Sequence, residues 1–446
     1  MKQSEFKKRR RQLMQRVGKG NIALICSASE RTRNRDVHYP FRQDSDLYYL
    51  TGFNEPNALA VFIPGRDKGE YILFCKEFDE KKALWEGAHA GLEGAKQDYG
   101  ADDSFPIEDV DDILHGLLEN KHKVFYPMGH NSDLDYRLIE WIKHIRADSR
   151  SGVQAPAELA SIEPILHEMR LIKSAAELKL MRQAAKITVN AHIKAMQTCR
   201  VGRYEYQIEA DLIHHFMQSG LRAVAYPSIV ASGKNACTLH YTDNNHKLKK
   251  GDLLLIDAGA ECDHYAADIT RTFPVSGKFS ATQAQLYQLV LDAQMAAITE
   301  IKPGAFWNLA HDAAVEVLTA GLVKLGLLKG NVSKLIKDEK YKAFYMHRTG
   351  HWLGMDVHDV GDYKVNQEWR KLQPGMVLTI EPGLYIPENC KNVEPKWRGI
   401  GIRIEDNVLV TKDGNEILTI DAPKTIEDIE TLMAGHVQPK LRAADL

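Results

Sequence analysis

The stretch "LIDAGAECDHYAADITRTF" (residues 255–273) indicates a hairpin whose buried strands stop at carboxylates. The run 253–256 is entirely apolar, and Asp257 follows it directly. If the polar "ECDH" forms the tip, counting inward along both strands places Asp257 and Asp268 opposite each other. Like charges opposed across a strand pair are destabilising. The pattern therefore predicts that a positive charge sits between the two aspartates.

The composition is typical of an ordinary globular protein, with 446 residues, 58 Lys and Arg against 60 Asp and Glu, and 44% hydrophobic residues. At roughly 150 residues per domain, this length predicts two or three domains. The balanced charge does not indicate a nucleic-acid partner. The sequence contains no run of about 18 apolar residues, so it predicts no membrane span. The basic start "MKQSEFKKRRRQLMQ" favours an amphipathic helix over a secretion signal.

The cysteines point to a reducing compartment. There are six, and none forms a C-x-x-C pair. This spacing favours free thiols, a cytoplasmic location and a site without cysteine ligands.

The order of patterns predicts two domains. The runs "NIALICSA", "ALAVFIPG", "EYILFC" and "KVFYP" alternate with helical patterns such as "SDLDYRLIEWIKHIRA", which is typical of an α/β domain. A long helix follows, with Ser174 as N-cap and Glu177 at capping-box spacing. We therefore expect an N-terminal α/β domain over residues 1–172. Residues 173–446 are expected to form an α+β catalytic domain with clustered strands.

An internal repeat lies within the second domain. "KKGDLLLIDAG" (249–259) and "QPGMVLTIEPG" (373–383) align without gaps and place Asp257 on Glu381. Short Gly-strand-Gly segments also recur by chance. An acid at the end of a buried strand is costly in both copies, however, which favours two related halves that each present a carboxylate.

Two further segments add candidate site residues. "GIGIRIEDNVLV" (399–410) is rich in strand-forming residues and places Arg403 and Glu405 on one face. Arg403 could simply neutralise Glu405. "HRTGHWLGMDVHD" (347–359) contains three histidines. Gly350 and Gly354 argue against a helix there, so the segment is not an H-E-x-x-H zinc motif.

Together these segments offer four carboxylates and a histidine, an oxygen-rich ligand set. Four carboxylates exceed the charge of one divalent ion, so the set predicts two metal ions bridged by carboxylates and a water. Oxygen ligands favour Mn²⁺ or Mg²⁺, with Co²⁺ and Zn²⁺ as alternatives, and the lack of thiolates argues against a structural zinc site. Two ions roughly 3.5–4 Å apart lower the pKa of a bridging water, which predicts hydrolysis through a bridging hydroxide.

In this order and with these flanks, the segments resemble the metal-binding signature of the pita-bread metallopeptidases. The matching motifs are "IDAG…DITRTF", "HWLGMDVHD", "TIEPGLY" and "GIRIEDN". The leading domain with "LYYLTGFNEPNALAVF" (47–62) makes the chain most similar to the bacterial aminopeptidase P members. The resemblance implies an α/β N-terminal domain followed by an α+β pita-bread (creatinase/aminopeptidase) catalytic domain. It also implies removal of the N-terminal residue from peptides with proline in second position.

The resemblance also implies roles for the ligands. Asp257 would ligate one metal ion, and Asp268 and Glu405 would bridge both. His351 and Glu381 would complete the other site, and Glu381 would also take the proton of the bridging water.

Other positions match family residues that handle the substrate. His240, in "TLHYTDNN", and His358 match histidines that stabilise the oxyanion and help proton transfer, although His240 is otherwise an ordinary loop histidine. His347 and Arg403 match residues that line the pocket for proline, with Tyr385 close by.

Four further matches complete the implied substrate site. Tyr226 matches a site-lining tyrosine, and Arg150 matches an arginine that meets the end of the substrate. Trp85 and Asp36 match residues that reach from one subunit toward a neighbour's site, which implies a homo-oligomer, a dimer or a tetramer. Without the resemblance, Tyr226 would be a core or rim aromatic, Arg150 a linker charge, Trp85 an ordinary buried tryptophan and Asp36 a loop residue.

Several alternatives share this chemistry. A prolidase, which takes only Xaa-Pro dipeptides, or a prolidase-like organophosphate hydrolase would use the same ligands. A methionine aminopeptidase would not need about 170 leading residues. A pita-bread binding protein without metals would not be expected to keep competent side chains at all five ligand positions. Arg348 and Thr349, between two of the histidines, are bulkier than the family pattern and predict an altered pocket shape.

Overall fold

The structure is a computed structural model that describes residues 1–435. Its packing divides the chain into a first unit, Met1–Met169, and a second unit that begins at Arg170. The domain boundary that we place between residues 172 and 173 stays a prediction.

The first unit is built on a six-stranded sheet with the order β6-β5-β4-β1-β7-β8. β1 pairs in parallel with β7 and antiparallel with β4, so the sheet is mixed. The strands predicted from apolar runs are present. The strands of this unit are β1 Ile22–Cys26, β2 Thr32–Asn34, β3 Val37–His38, β4 Leu59–Phe62, β5 Tyr71–Cys75, β6 Asp103–Pro106, β7 Lys123–Tyr126 and β8 Glu158–Ser161.

Helices precede, follow and connect these strands. The basic start of the chain forms the predicted first helix, which buries Phe6, Leu13 and Val17 on one face. In contrast, α3 buries no side chain at all. The helices are α1 Gln3–Val17, α2 Ser45–Thr51, α3 Glu80–Glu86, α4 Gly91–Gln97, α5 Val110–Leu118, α6 Ser132–Ala147 and α7 Glu163–Leu171.

The second unit begins with two long helices, and the first of them is the helix predicted from the sequence. The first of them starts at the predicted N-cap: the Ser174 hydroxyl accepts from Glu177 N–H, and the Glu177 carboxylate accepts from Ser174 N–H. This capping box satisfies two amides that the first helical turn leaves free. The helices of this unit are α8 Ala175–Thr198, α9 Glu205–Gln218, α10 Ala281–Thr299, α11 Asn308–Lys324, α12 Val332–Lys337 and α13 Ile426–Ala434.

Short sheets in the second unit carry the predicted site segments. Three of these sheets have the orders β10-β11-β14, β17-β20-β21 and β13-β12-β9, and β18 pairs with β19. The strands are β9 Ala223–Val224, β10 Ile229–Ser232, β11 Leu253–Asp257, β12 Ala260–Cys262, β13 Tyr265–Ala266, β14 Thr270–Pro274, β15 Lys364–Val365, β16 Glu368–Trp369, β17 Val377–Ile380, β18 Gly383–Ile386, β19 Ile400–Arg403, β20 Asp406–Val410 and β21 Asn415–Ile417.

The first hairpin exists, but its predicted register is wrong by two positions. Asp257 pairs with Thr270, and Cys262 pairs with Tyr265, so Asp257 and Asp268 are not opposite each other. The turn lies at Asp263 and His264, whose φ angles are 49° and 69°. Two successive residues with positive φ are typical of a type I′ turn, which moves the tip one residue along the chain.

The hydrogen-bond ladder of the second hairpin is interrupted by a gap, and the strand register is the same on both sides of the gap. Ile380 pairs with Asp406 in β17 and β20, and Gly383 pairs with Arg403 in β18 and β19. The same register places Glu381 opposite Glu405 inside the gap. Both halves of the repeat therefore present an acid where a buried strand ends, as predicted.

No helix within residues 1–435 is both long enough and apolar enough to cross a membrane.

Candidate metal centre and substrate cavity

A cavity of about 750 Å³ in the second unit gathers most of the predicted site residues. It is bordered by the ends of the two hairpins and by the loop that carries the histidines. The predicted residues that line it are Tyr226, His240, Asp257, Asp268, His347, His351, His358, Glu381, Arg403 and Glu405.

Two aspartates from the first hairpin meet at one tyrosine. The Tyr226 hydroxyl lies 2.6 Å from Asp257 Oδ1 and 2.5 Å from Asp268 Oδ1. The other oxygen of Asp257 accepts from Arg403 Nη2 at 2.6 Å. The backbone of Asp268 is held by the side chain of Asn407, which accepts from Asp268 N–H at 3.1 Å. Asp257 and Asp268 thus converge although they do not pair across the hairpin.

Two glutamates from the second hairpin approach from the gap in its ladder. Glu381 N–H donates to Thr349 O at 2.7 Å, and Glu405 N–H donates to Thr270 O at 3.0 Å. Because both amides donate to acceptors outside the hairpin, the hydrogen-bond ladder between its two strands is interrupted there. The Thr270 hydroxyl also donates to Glu405 Oε2 at 2.6 Å.

The loop histidine His351 presents one ring nitrogen to the acids. Its Nδ1 lies 2.9 Å from the carbonyl oxygen of Trp352, which can only accept, so Nδ1 carries the proton. Nε2 then faces Asp268 Oδ2 at 3.4 Å and Glu381 Oε1 at 3.5 Å. A second ring nitrogen that donates to a carbonyl is the arrangement typical of histidines that ligate metals through Nε2.

The loop before His351 runs close to the second hairpin. A Cβ at Gly350 would lie 1.9 Å from the carbonyl oxygen of Thr379. Because no side chain fits in that space, the glycine lets His351 approach the strand that ends at Glu381. The absence of a helix in this segment agrees with the prediction.

Burial and mutual repulsion raise the pKa of three of the four acids. Burial raises the pKa of Asp257, and it raises that of Glu405 well above its ordinary value, with repulsion from the other acids adding to it. Burial also raises the pKa of Glu381 to about 7, although His351 and Arg403 oppose this. The pKa of Asp268 is lowered, because His351, Tyr226 and Arg403 outweigh its burial.

This arrangement fits bound cations. A tyrosine hydroxyl has one proton, so Tyr226 cannot donate to Asp257 and Asp268 at the same time. Within the described residues, these four carboxylates face Arg403, His351 and the neutral ring of His347, which leaves a deficit of positive charge. Asp268, His351 and Glu405 each offer a ligand atom within 4.8 Å of the others. Hard oxygen donors with one imidazole are a donor set for divalent metal ions.

A chain of hydrogen bonds joins three of the predicted substrate residues. His347 Nδ1 faces the carbonyl oxygen of Arg348 at 2.7 Å, so Nδ1 donates and Nε2 accepts from the Tyr385 hydroxyl at 2.9 Å. That hydroxyl accepts from Arg403 Nη1 at 3.0 Å. Burial and then Arg403 lower the pKa of His347 to about 3, which keeps the ring neutral.

Arg403 pairs directly with Asp257 rather than with Glu405, although Glu405 is among the negative charges that act on it. Among residues 1–435, the ion pair of Arg403 is with Asp257, on the other hairpin. Arg403 Nε instead reaches the Thr270 hydroxyl at 3.1 Å. The strand ends at Arg403, so the regular alternation that would place Glu405 on the same face does not continue.

His240 and His358 are exposed at the wall of the cavity. The ring of His358 packs edge-on against that of His351, with 4.4 Å between the centroids. Burial, and then His351, lower the pKa of His358. Both histidines therefore border the acid cluster, and their catalytic roles stay predictions.

The two bulky residues between the histidines have different surroundings. Thr349 is buried, and its hydroxyl lies 2.8 Å from His311 Nδ1 and 2.6 Å from the Tyr345 hydroxyl. It does not line the cavity. Arg348 is exposed and does line it. The pocket shape is therefore affected by Arg348 rather than by both residues.

Three predicted substrate residues lie in the first unit. Trp85 is 90% exposed, so the expectation of an ordinary buried tryptophan is wrong. Asp36 is exposed between β2 and β3, and Arg150 is exposed in the 3₁₀ turn Ser149–Ser151 that follows α6. Their substrate roles stay predictions.

Sequence reasoning missed the threonines that support the acids. Thr270 bonds Glu405, and the Thr379 hydroxyl donates to Glu381 Oε1 at 3.2 Å. Thr270 lies within "DITRTF" and Thr379 within "TIEPGLY". The sequence signal that could have identified them is a threonine within a buried strand, two residues from an acid.

The buried acids, the oriented histidine and the adjoining cavity define the class of the protein as a metal-dependent hydrolase. Residues 179–412 match the model of metallopeptidase family M24, and residues 6–126 match the aminopeptidase P N-terminal domain. The chain therefore belongs to metallopeptidase family M24 and carries the N-terminal domain of the aminopeptidase P type.

Relatives of this family match nearly the whole chain. A Xaa-Pro aminopeptidase of Haemophilus influenzae is 45% identical over 429 residues, which cover 96% of this chain and 97% of the relative. A Xaa-Pro aminopeptidase of Escherichia coli is 42% identical over 432 residues, with 97% and 98% covered.

Solved structures agree. The aminopeptidase PepP of Pseudomonas aeruginosa has a TM-score of 0.97 and 55% identity and covers 98% of this chain and 99% of its own. Zinc-substituted E. coli aminopeptidase P in complex with product has a TM-score of 0.95 and 41% identity, with 98% and 100% covered. The predicted fold class, an α/β N-terminal domain followed by an α+β pita-bread catalytic domain, is confirmed.

Proposed function

We propose that this protein is a two-metal Xaa-Pro aminopeptidase, which removes the first residue from peptides with proline in second position. The observation that carries the proposal is the convergence of four carboxylates and His351 on one cavity, beside the chain of His347, Tyr385 and Arg403. The relatives named Xaa-Pro aminopeptidase support the same activity.

Five residues would hold the two divalent ions: Asp257, Asp268, His351, Glu381 and Glu405. Asp268 and Glu405 belong to the tightest cluster and would bridge the ions. We take Mn²⁺ as the native metal because oxygen ligands outnumber nitrogen. When bound, the ions polarise the peptide carbonyl and lower the pKa of a water so that it serves as nucleophile near neutral pH.

Glu381 would take the proton from the attacking water and return it to the departing proline nitrogen. Its carboxylate lines the cavity beside the other acids, with Oε1 3.5 Å from His351 Nε2, so it lies where a proton acceptor for the attacking water is needed. His240 and His358, at the cavity wall, would donate to the oxygen on which negative charge develops.

The proline ring would lie against His347 and Arg403, which line the cavity, with the buried Tyr385 close by. Proline lacks an N–H and has a fixed φ near −65°, so a site for it must accept a rigid ring rather than bond a backbone amide. The hydrogen-bond chain holds these three side chains in place before the substrate arrives. Tyr226 would orient Asp257 and Asp268.

The first unit would contribute to substrate binding between subunits. Trp85 is exposed on a helix that buries nothing, and Leu84 beside it is 86% exposed. We take these apolar side chains to be covered in a homo-oligomer, where Trp85 and Asp36 would approach a neighbour's site and Arg150 would meet the peptide end. Light scattering of the wild type and of Trp85→Ala tests this: a monomeric wild type would contradict it.

The cellular setting follows from the cysteines. All six are free thiols. Free thiols are the normal state in a reducing compartment, so we assign the enzyme to the cytoplasm, with peptides rather than nucleic acid or membrane as its partners.

The test is hydrolysis of Xaa-Pro-Yaa tripeptides, Xaa-Pro dipeptides and proline-free tripeptides with added Mn²⁺, then with chelator, then with Mn²⁺ restored. Tripeptide cleavage that stops with chelator and returns with metal is the expected result. Cleavage of the dipeptide alone would make the protein a prolidase. Cleavage of none, with two ions bound, would make it a binding protein.

A further inference from the structure

The mouth of the substrate cavity carries a single permanent charge. Five of the lining residues are exposed, and four of them are neutral side chains or histidines. The exposed lining residues are Pro227, His240, Thr242, Arg348 and His358. The other charged residues of the cavity lie at its inner end, in the acid cluster.

Arg348 is not neutralised by the protein. Across residues 1–435, no carboxylate lies within ion-pairing distance of its guanidinium. Its Cζ instead lies 5.1 Å from the centroid of the Trp369 ring. A guanidinium over an aromatic face keeps its charge and its hydrogen-bond donors free for a ligand.

A second cation, Lys364, lies against the same Trp369 ring as Arg348. Lys364 pairs with Trp369 across the short hairpin of β15 and β16, and its Nζ lies 4.5 Å from the same ring centroid. Two cationic side chains therefore lie against the Trp369 ring beside the cavity. An anionic group of the ligand is attracted to both, whereas a cationic group is repelled.

The position of Arg348 along the chain indicates which part of the peptide it faces. Its neighbour His347 lines the proposed proline pocket, and the Arg348 carbonyl holds that ring. Only the first peptide bond is cut, so the peptide beyond proline must continue toward the open mouth. An exposed side chain one residue from the proline pocket meets that continuing segment.

Resting on the proposed function, we propose that Arg348 selects Xaa-Pro peptides that carry a carboxylate on the residue after proline. The carboxylate belongs either to an Asp or Glu side chain or to the chain end of a tripeptide. The contact lies beyond the reacting bond and is made equally in the bound peptide and in the transition state, so it acts on KM rather than on kcat.

The experiment uses the Mn²⁺-loaded full-length enzyme and four peptides. These are Ala-Pro-Glu-amide, Ala-Pro-Gln-amide, Ala-Pro-Lys-amide and Ala-Pro-Gln with a free carboxylate. We expect kcat/KM for the Glu-amide to exceed that for the Gln-amide about two- to fivefold, the range of an exposed ion pair. The preference should shrink in high salt.

Variants assign the preference to one side chain. In Arg348→Ala the ratio of Glu-amide to Gln-amide should fall to about one, and Arg348→Glu should favour the Lys-amide. Lys371→Ala is the matched control, because Lys371 is an exposed cation 5.2 Å from the Phe306 ring that does not line the cavity. It should keep the wild-type ratio.

A binding measurement separates recognition from turnover. Pro-Glu-amide and Pro-Gln-amide correspond to the products, and calorimetry should show tighter binding of the first to wild type but not to Arg348→Ala. If Arg348→Ala loses only the preference for the Glu-amide over the Gln-amide, the recognised carboxylate is that of the side chain. If it loses the preference for Ala-Pro-Gln with a free carboxylate, the recognised carboxylate is that of the chain end. Either result supports the proposal. Equal ratios in wild type and Arg348→Ala would overturn it. If no Xaa-Pro peptide is cleaved, the proposed function falls with it.

Discussion

The Thr270 hydroxyl offers a direct test of how the acid cluster is held. It donates to Glu405 Oε2 at 2.6 Å and accepts from Arg403 Nε at 3.1 Å, in a fully buried position. Thr270→Val keeps the side-chain shape and removes both bonds. A hydrogen bond to a charged group contributes about 1.5–3 kcal/mol, which corresponds to about 10- to 150-fold in an equilibrium constant. Loss of a partner behind a metal ligand costs about 10- to 100-fold in metal affinity or activity.

Thr272→Val is the matched control for this prediction. Thr272 lies two residues along the same strand and is also fully buried. Within residues 1–435 its hydroxyl bonds only the backbone of Arg403, at 2.9 and 3.2 Å. Its loss should cost about 2 kcal/mol of unfolding free energy, because two neutral hydrogen bonds contribute about 1 kcal/mol each. It should leave the metal affinity unchanged.

Calorimetric titration of the metal-depleted proteins with Mn²⁺ gives the affinities, and urea unfolding gives the stabilities. We expect Thr270→Val alone to bind Mn²⁺ about 10- to 100-fold more weakly. Wild-type affinity in Thr270→Val, or an equal loss in both variants, would refute the reasoning that the charged contact positions Glu405.

Three further predictions follow from other contacts. Glu381→Gln should lower kcat about 10²- to 10⁴-fold while Mn²⁺ remains bound, and near-normal turnover at full metal content would show that Glu381 is not the proton acceptor. Tyr385→Phe removes the hydroxyl that joins two proline-pocket residues, and should reduce kcat/KM for Xaa-Pro tripeptides about 5- to 30-fold, as measured by steady-state kinetics. Asp359 lies buried between Lys173 and Arg170, which lower its pKa despite its burial. Its contribution to stability is therefore present above its ordinary pKa of 3.8 and is lost as the pH falls further. Urea unfolding should show that Asp359→Asn is about 3–5 kcal/mol less stable than wild type at pH 7. The difference should shrink in acid. A difference independent of pH would contradict that assignment.

The strands, the long helices and the acids at strand ends could be predicted from the sequence because each depends on a local pattern. The register of the first hairpin could not. Asp263 and His264 adopt positive φ in the turn, and this dipeptide lacks the glycine that usually marks such a turn. Asp257 and Asp268 meet through Tyr226 instead, a contact between distant segments that no local pattern encodes.

The partner of Arg403 and the surroundings of Trp85 were hidden for a related reason. Arg403 pairs with Asp257, which is distant in sequence, whereas alternation along its own strand suggested Glu405. Trp85 lies on a short helix that packs no side chain inward, and tryptophan alone does not show whether its environment is core or surface.

The gap at Glu381 and Glu405 has a consequence for synthesis of the protein. The amide of Glu405 finds its acceptor at Thr270, on the other hairpin, and the amide of Glu381 finds its own at Thr349. A nascent chain that ends before Glu405 therefore has neither the complete acid set nor a closed second hairpin. The capacity to cut peptides therefore arises only after most of the polypeptide has left the ribosome and the two hairpins have packed together. An unfinished chain does not act as a peptidase.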